Sequence, residues 1–207
     1  MQGTLSIFYF VILIFSIIVH EVAHGVAAER EGDPTARMLG RITLNPLKHI
    51  DLFGSIILPA ILILTSAGFV VGWAKPVPYN PDNLRHGNKS VAKVSIAGIL
   101  VNLGIAIVFG LLIRASLSFG FTSMAFLDIA SIIVFLNIVL ALFNIMPFAP
   151  LDGFNFFGAI LPRRFAPVMA FLERFSLPLL LIFIVLGWKF VAPLTYVVFE
   201  LLTGIAL

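Results

Sequence analysis

The sequence predicts an all-α protein whose helices cross a lipid bilayer several times, and three observations lead there. Of its 207 residues, 60% are apolar and only 11% are Asp, Glu, Lys or Arg, against about 25% charged in a soluble domain. Mean hydropathy is +1.11. The apolar residues also gather into runs near or above the ~20 that a helix needs to span hydrocarbon. A helix is the open segment that satisfies its own backbone there. We expect about five or six transmembrane helices in a single integral-membrane domain, residues 1–207.

The first run, Leu5 to Ala28, has polar residues only near its end. It begins without a basic region or a small-residue cleavage site, so it reads as a retained span. The connection from Glu29 to Asp51 is mixed, and residues 37–44 alternate loosely around Met38, Gly40, Ile42 and Leu44, which predicts a short extended piece. Leu52 to Val71 is long enough to span despite Pro59. Pro76, Pro78, Pro81 and Gly87 then exclude a regular helix, so residues 72–79 are extended or re-entrant.

The third run, Val94 to Ile113, carries Ser95, Gly98, Asn102, Ala106 and Gly110 at spacings of three and four. Small residues on one stripe let membrane helices approach closely. The fourth, Phe126 to Met146, places Ala130, Val134, Asn137, Ala141 and Asn144 on one face, which should meet protein. Pro147 and Pro150 break the chain before Leu151, Asp152 and Gly153. Leu177 to Leu207 is apolar around Lys189 and Pro193, as one broken span or two.

Thirteen basic residues against ten acidic ones give +3, and they are dispersed, so nucleic acid is not an expected partner. The absence of cysteine excludes disulfides, thiolate ligands and cysteine nucleophiles. Neither long loop could hold a soluble sensor or nucleotide-binding domain. The expected partner is the bilayer itself.

Chemistry concentrates in His20, Glu21 and His24, which form HExxH near the end of the first run. On a helix, positions 20 and 24 share a face one turn apart, so both imidazoles reach one ion with Glu21 alongside. Two neutral nitrogens leave Zn²⁺ needing a third protein ligand, with a water in the remaining position. That water ionises near neutral pH, and Glu21 is placed to take its proton. Three ionisable residues in a span cost ~2.5 to 3.5 kcal/mol each on insertion scales, so a compensating partner is required. Asp128, Glu200, His49, His86 and Asp152 are the candidates for the third ligand. Asp152 is best placed, because unwound backbone from Pro147 to Gly153 can bend a short carboxylate inward. An Asp in a Pro/Gly turn is equally ordinary on local composition.

HEVAHG together with NIMPFAPLDG resembles the site-2 protease family of intramembrane zinc metalloproteases, whose signatures are HExxH and NxxPxxxLDG. Asn144, Pro147, Leu151, Asp152 and Gly153 match the second at its full spacing. GRITLNPLKHID, GWAKPVP and AGILVN look like the minimal prokaryotic branch, which lacks appended domains. Ile99 departs from that pattern, where relatives often have proline.

The resemblance implies one Zn²⁺ held by His20, His24 and Asp152, with Glu21 as general base. It implies an endopeptidase cutting in or near transmembrane segments of protein substrates, in a prokaryotic cell membrane. Asn144 would hydrogen-bond the substrate backbone or support the transition state, against a helix-end or interhelical bond as the alternative. Asn102 would lend the same support or serve as packing glue on its stripe. A membrane metal-ion transporter and a non-peptidase metallohydrolase are the competing functions.

One tension follows from parity. If four long runs all cross, His20 and Asp152 fall on opposite faces and no single ion reaches both. Residues 37–44 or 72–79 must re-enter, the second run must not cross, or the signatures must meet well inside.

Overall fold

A computed structural model describes residues 2–65, 72–121 and 123–206. It is all-helical, and no strand occurs among the described residues. The helices are α1 (Gln2–Arg30), α2 (Thr35–Met38), α3 (Leu58–Leu64), α4 (Asn88–Ser118), α5 (Met124–Asn144), α6 (Asp152–Ile160), α7 (Ala166–Arg174), α8 (Ser176–Ile182) and α9 (Trp188–Thr203).

Three of these are long and apolar enough to cross a membrane: α1 over Phe8–Arg30, α4 and α5. A fourth span is present if Arg163–Arg174 and Ser176–Gly187, bent by 73° from one another, count as one. The count of five or six is therefore approximate, because run length does not register breaks. The second run divides into a π-helix, Leu52–Ile57, and the seven-residue α3. Its remainder, residues 66–71, lies outside the described residues. The final apolar stretch divides into α8, a π-turn at Phe183–Gly187 and α9.

Helix α4 is central and packs against α1, α5, α6 and α9. Its stripe of Gly98, Asn102, Ala106 and Gly110 is buried, as small residues at helix contacts should be. The apolar core lies between α4, α5 and α9, where Phe199 is fully buried against Ala106, Ile113, Ala130, Val134 and Ile138. Arg114 of α4 donates from Nε and Nη2 to the carbonyls of Leu202 and Leu201, satisfying the C-terminal end of α9.

The parity tension resolves by the connection between α1 and α4 leaving and returning at one end of the bundle. Glu31, just past α1, accepts from Lys93 Nζ of α4 at 2.7 Å, and its carbonyl accepts from Arg85 N–H at 2.9 Å. Helix α4 then runs away from that end and α5 returns to it. His24 and Asp152 meet on the same side.

The expected extended piece at 37–44 forms no strand: its start belongs to the end of a helical turn, and residues 41–44 carry no regular secondary structure. Thr35–Met38 is α2, and Arg41 N–H reaches back to the Ala36 carbonyl across Gly40, whose φ of +62° closes the helix in the left-handed region. Residues 72–80 carry no regular secondary structure and are pinned from beneath. Lys75 N–H donates to the His49 carbonyl at 2.8 Å, and Arg41 Nη2 donates to the carbonyls of Lys75 and Pro76 at 2.8 and 3.1 Å. We call this segment the strap.

Asp33 ties down the far end of the strap. Wholly buried, it accepts from Asn80 N–H at 2.6 Å, Asn83 Nδ2 at 2.8 Å, and both the N–H and hydroxyl of Thr35. Burial alone would raise its pKa; the bonds from Asn83, Thr35 and Asn80 outweigh burial and hold the carboxyl below the ordinary aspartate range. A folded-state pKa below the unfolded one gives stability that is full at neutral pH and lost as pH falls through the folded value. We therefore expect Asp33→Ala to cost about 2–4 kcal/mol. Thermal unfolding in detergent should show the midpoint gap between variant and native chain narrowing below about pH 4.

Candidate metal centre

Helix α1 carries His20 and His24 into the protein, where they are 5% and 8% exposed. Their rings meet edge to face with centroids 4.8 Å apart, and the two Nε2 atoms lie 3.1 Å from each other. Asp152 arrives from the opposite direction. After α5 ends at Asn144, an irregular turn leads to extended Leu151 and then to Asp152, the first residue of α6. Asp152 Oδ2 stands 2.9 Å from His20 Nε2 and 3.2 Å from His24 Nε2.

Two glycines make that meeting feasible. A Cβ on Gly153 would fall 2.1 Å from the Ile145 carbonyl oxygen, so only glycine lets α6 fold back onto the preceding turn. A Cβ on Gly98 would fall 2.6 Å from Nε2 of both His20 and His24. The imidazoles therefore occupy the space that a side chain on α4 would fill. Helix α4 also holds their far nitrogens: His24 Nδ1 is 2.7 Å from the Val94 carbonyl oxygen, and His20 Nδ1 is 3.2 Å from Asn102 Nδ2.

Glu21 points toward the strap, and its Oε2 accepts from Val77 N–H at 2.9 Å. Val77 itself is buried beside Gly25, where an added Cβ would sit 2.8 Å from Val77 Cγ1. The residue after HExxH is thus the one that lets the strap lie against α1.

The donor set fits a divalent cation. One ligand atom from each of His20, His24 and Asp152 lies within 4.8 Å of the others. Zinc bonds of ~2.0–2.1 Å place neighbouring ligands about 3.3 Å apart in a tetrahedron, close to the observed spacing. Among the described residues Asp152 Oδ2 is buried and receives no aligned hydrogen bond although two ring nitrogens stand beside it. Three potential ligand atoms converging at 2.9–3.2 Å are matched by a shared positive ion.

The other candidates stay apart. Asp128 and Glu200 are exposed, and His86 sits on an exposed loop. His49 is buried, with Nε2 bonded to the Thr43 carbonyl oxygen at 2.8 Å, and shapes the loop beneath the strap. Asn144 donates Nδ2 to the Leu140 carbonyl one turn back at 2.9 Å. Sequence reasoning did not single out Val77, Val94 or Gly98 for the site. Gly98 had a signal, its place on the small-residue stripe; a backbone N–H or carbonyl has none.

The chain is 37% identical over 198 residues to "Putative zinc metalloprotease YwhC" of Bacillus subtilis (strain 168), covering 93% of this chain and 84% of that protein. The chain belongs to the site-2 protease family. It is also 32% identical over 155 residues to "Putative zinc metalloprotease Rip2" of Mycolicibacterium smegmatis (strain ATCC 700084 / mc(2)155), covering 72% of this chain and 54% of that protein. No family model and no solved structure matches the chain. The protease is a zinc metalloendopeptidase, a hydrolase with Zn²⁺ as its cofactor. Its apolar helices mark it as a membrane protein.

Gly98 gives the first test of this centre. A methyl group there must displace both imidazoles, so Gly98→Ala should lower the zinc affinity of the purified protease by about tenfold or more. Gly104→Ala, on the same helix with nothing within 4 Å of the new Cβ, should leave affinity unchanged. Competition with a metallochromic chelator measures both.

Proposed function

We propose that this protease is a multi-pass, single-domain intramembrane endopeptidase. Its substrates are membrane-embedded polypeptides cut in or near their transmembrane segments. The observation that carries the reading is the convergence of His20, His24 and Asp152 at one end of a bundle whose first helix places HExxH within an apolar span. His20 lies ten residues before Arg30, about 15 Å along the helix axis.

In this reading His20, His24 and Asp152 hold the zinc. Bound there, zinc would supply Lewis acidity toward the peptide carbonyl and would make a water more acidic. Glu21 would act as the general base, taking a proton from the attacking water and passing it to the departing amide nitrogen. Val77 N–H keeps one carboxylate oxygen of Glu21 engaged, which aims the side chain and leaves Oε1 for the proton. The strap lies beside the base, so a substrate helix must unwind locally against it for a single peptide bond to reach Glu21. Asn144, at the end of α5, supports the substrate backbone or the transition state.

Glu21→Gln separates catalysis from metal binding. It should retain zinc and lose cleavage of a single-span substrate by 10²-fold or more, about the contribution of a positioned general base. Co-expression of intact and substituted enzyme with candidate substrates, scored by product on gels, reads the loss. Full cleavage by Glu21→Gln, or zinc flux into vesicles carrying the protein, would sink the proposal in favour of another base or of transport.

A further inference from the structure

Asn102 is completely buried and stands behind His20 rather than beside the open face of the metal centre. Its amide contacts His20 Nδ1, the ring nitrogen turned away from Asp152. The two asparagines of α5 behave otherwise. Asn137 and Asn144 each donate Nδ2 to the carbonyl four residues back, at 2.9 Å. Among the described residues Asn102 makes no such bond to its own helix, so its side chain serves the histidine.

A polarity mismatch identifies what that service is. Nδ2, a donor, faces His20 Nδ1, while Asn102 Oδ1 is buried with no partner among the described residues. An imidazole that offers Nε2 to a metal carries its hydrogen on Nδ1 and needs an acceptor there. Carboxamide oxygen and nitrogen are nearly isosteric, and a half-turn of the amide exchanges them. The reversed amide puts Oδ1 on His20 Nδ1–H, which removes the donor–donor conflict and satisfies the orphaned oxygen together.

We propose that Asn102 is a positioning residue that accepts a hydrogen bond from His20 Nδ1–H through Oδ1 and so fixes the ring tautomer that binds zinc. The inference rests on His20 being a zinc ligand. His24 has the matching arrangement, its Nδ1 at 2.7 Å from the Val94 carbonyl oxygen. Helix α4 thereby orients both rings, one through its backbone and one through Asn102. Losing an acceptor behind a ligating histidine typically weakens metal affinity by about 10–100-fold.

Zinc affinity of the full-length protein in detergent tests this by chelator competition, with no need for a substrate. Asn102→Leu, similar in size and without an acceptor, should bind zinc about 10–100-fold more weakly. Asn102→Asp, which offers only acceptors, should stay within about threefold of the native protein. Should Asn102→Leu fail to fold, Asn102→Ala replaces it with the same expectation. Unchanged affinity in the variant lacking an acceptor overturns the proposal, as does an equal loss in Asn102→Asp, which would mean the amide donates or merely packs. His20→Ala separates the two levels. If it binds zinc as well as the native protein, the ligand reading fails and this one with it. If it loses zinc while Asn102→Leu does not, only the role of Asn102 falls.

Discussion

Two imidazoles and a carboxylate must meet inside apolar protein, and the absence of a side chain at Gly98 makes room for them. Any Cβ there would lie 2.6 Å from both Nε2 atoms. That contact sets how closely α4 approaches α1, and the rest of the bundle is arranged on α4. Helices α5, α6 and α9 all pack against it. The stripe of small residues is thus more than a helix contact, because its Gly98 and Asn102 stand against the histidines while Ala106 and Gly110 continue the same face into the apolar core.

The polar residues of this charge-poor chain cluster in a second place, under the strap. Asp33, Arg41 and Glu21 come from three different parts of the chain between α1 and the following loop, and each binds backbone atoms of residues 75–80. Arg41 is buried at 8% exposure with peptide carbonyls as partners. Among the described residues it has no counter-ion, and burying a guanidinium is expensive unless its donors are met, so the position of the strap is strongly specified. An extended segment beside a membrane needs such anchoring, since Pro76 and Pro78 supply no N–H for a ladder.

Much of the site was legible because its chemistry has a sequence period. His20 and His24 are four apart, and a helix places them on one face whatever surrounds it. Asp152 was harder: the break at Pro147 made it the best placed of five candidates, composition left it level with an ordinary turn, and the NxxPxxxLDG resemblance tipped the balance. The all-helical class followed from hydropathy, yet the span count did not, because the second run begins as a π-helix and the last is interrupted by another at Phe183–Gly187, just after a 73° bend between α7 and α8. Residues 37–44 misled through a short alternation that Gly40 and the Arg41–Ala36 bond turn into a helix end. His49, a candidate ligand by residue type, is buried instead against the Thr43 carbonyl, a partner that hydropathy cannot register.

The bond from Val77 N–H to Glu21 has a genetic side. Every amino acid except proline carries that N–H, so side-chain replacements at position 77 would alter how the strap packs yet leave the donor in place. Alanine scanning is blind to such a contact, and related chains could drift at this position while retaining it. Its conservation would be written in backbone path rather than in residue identity.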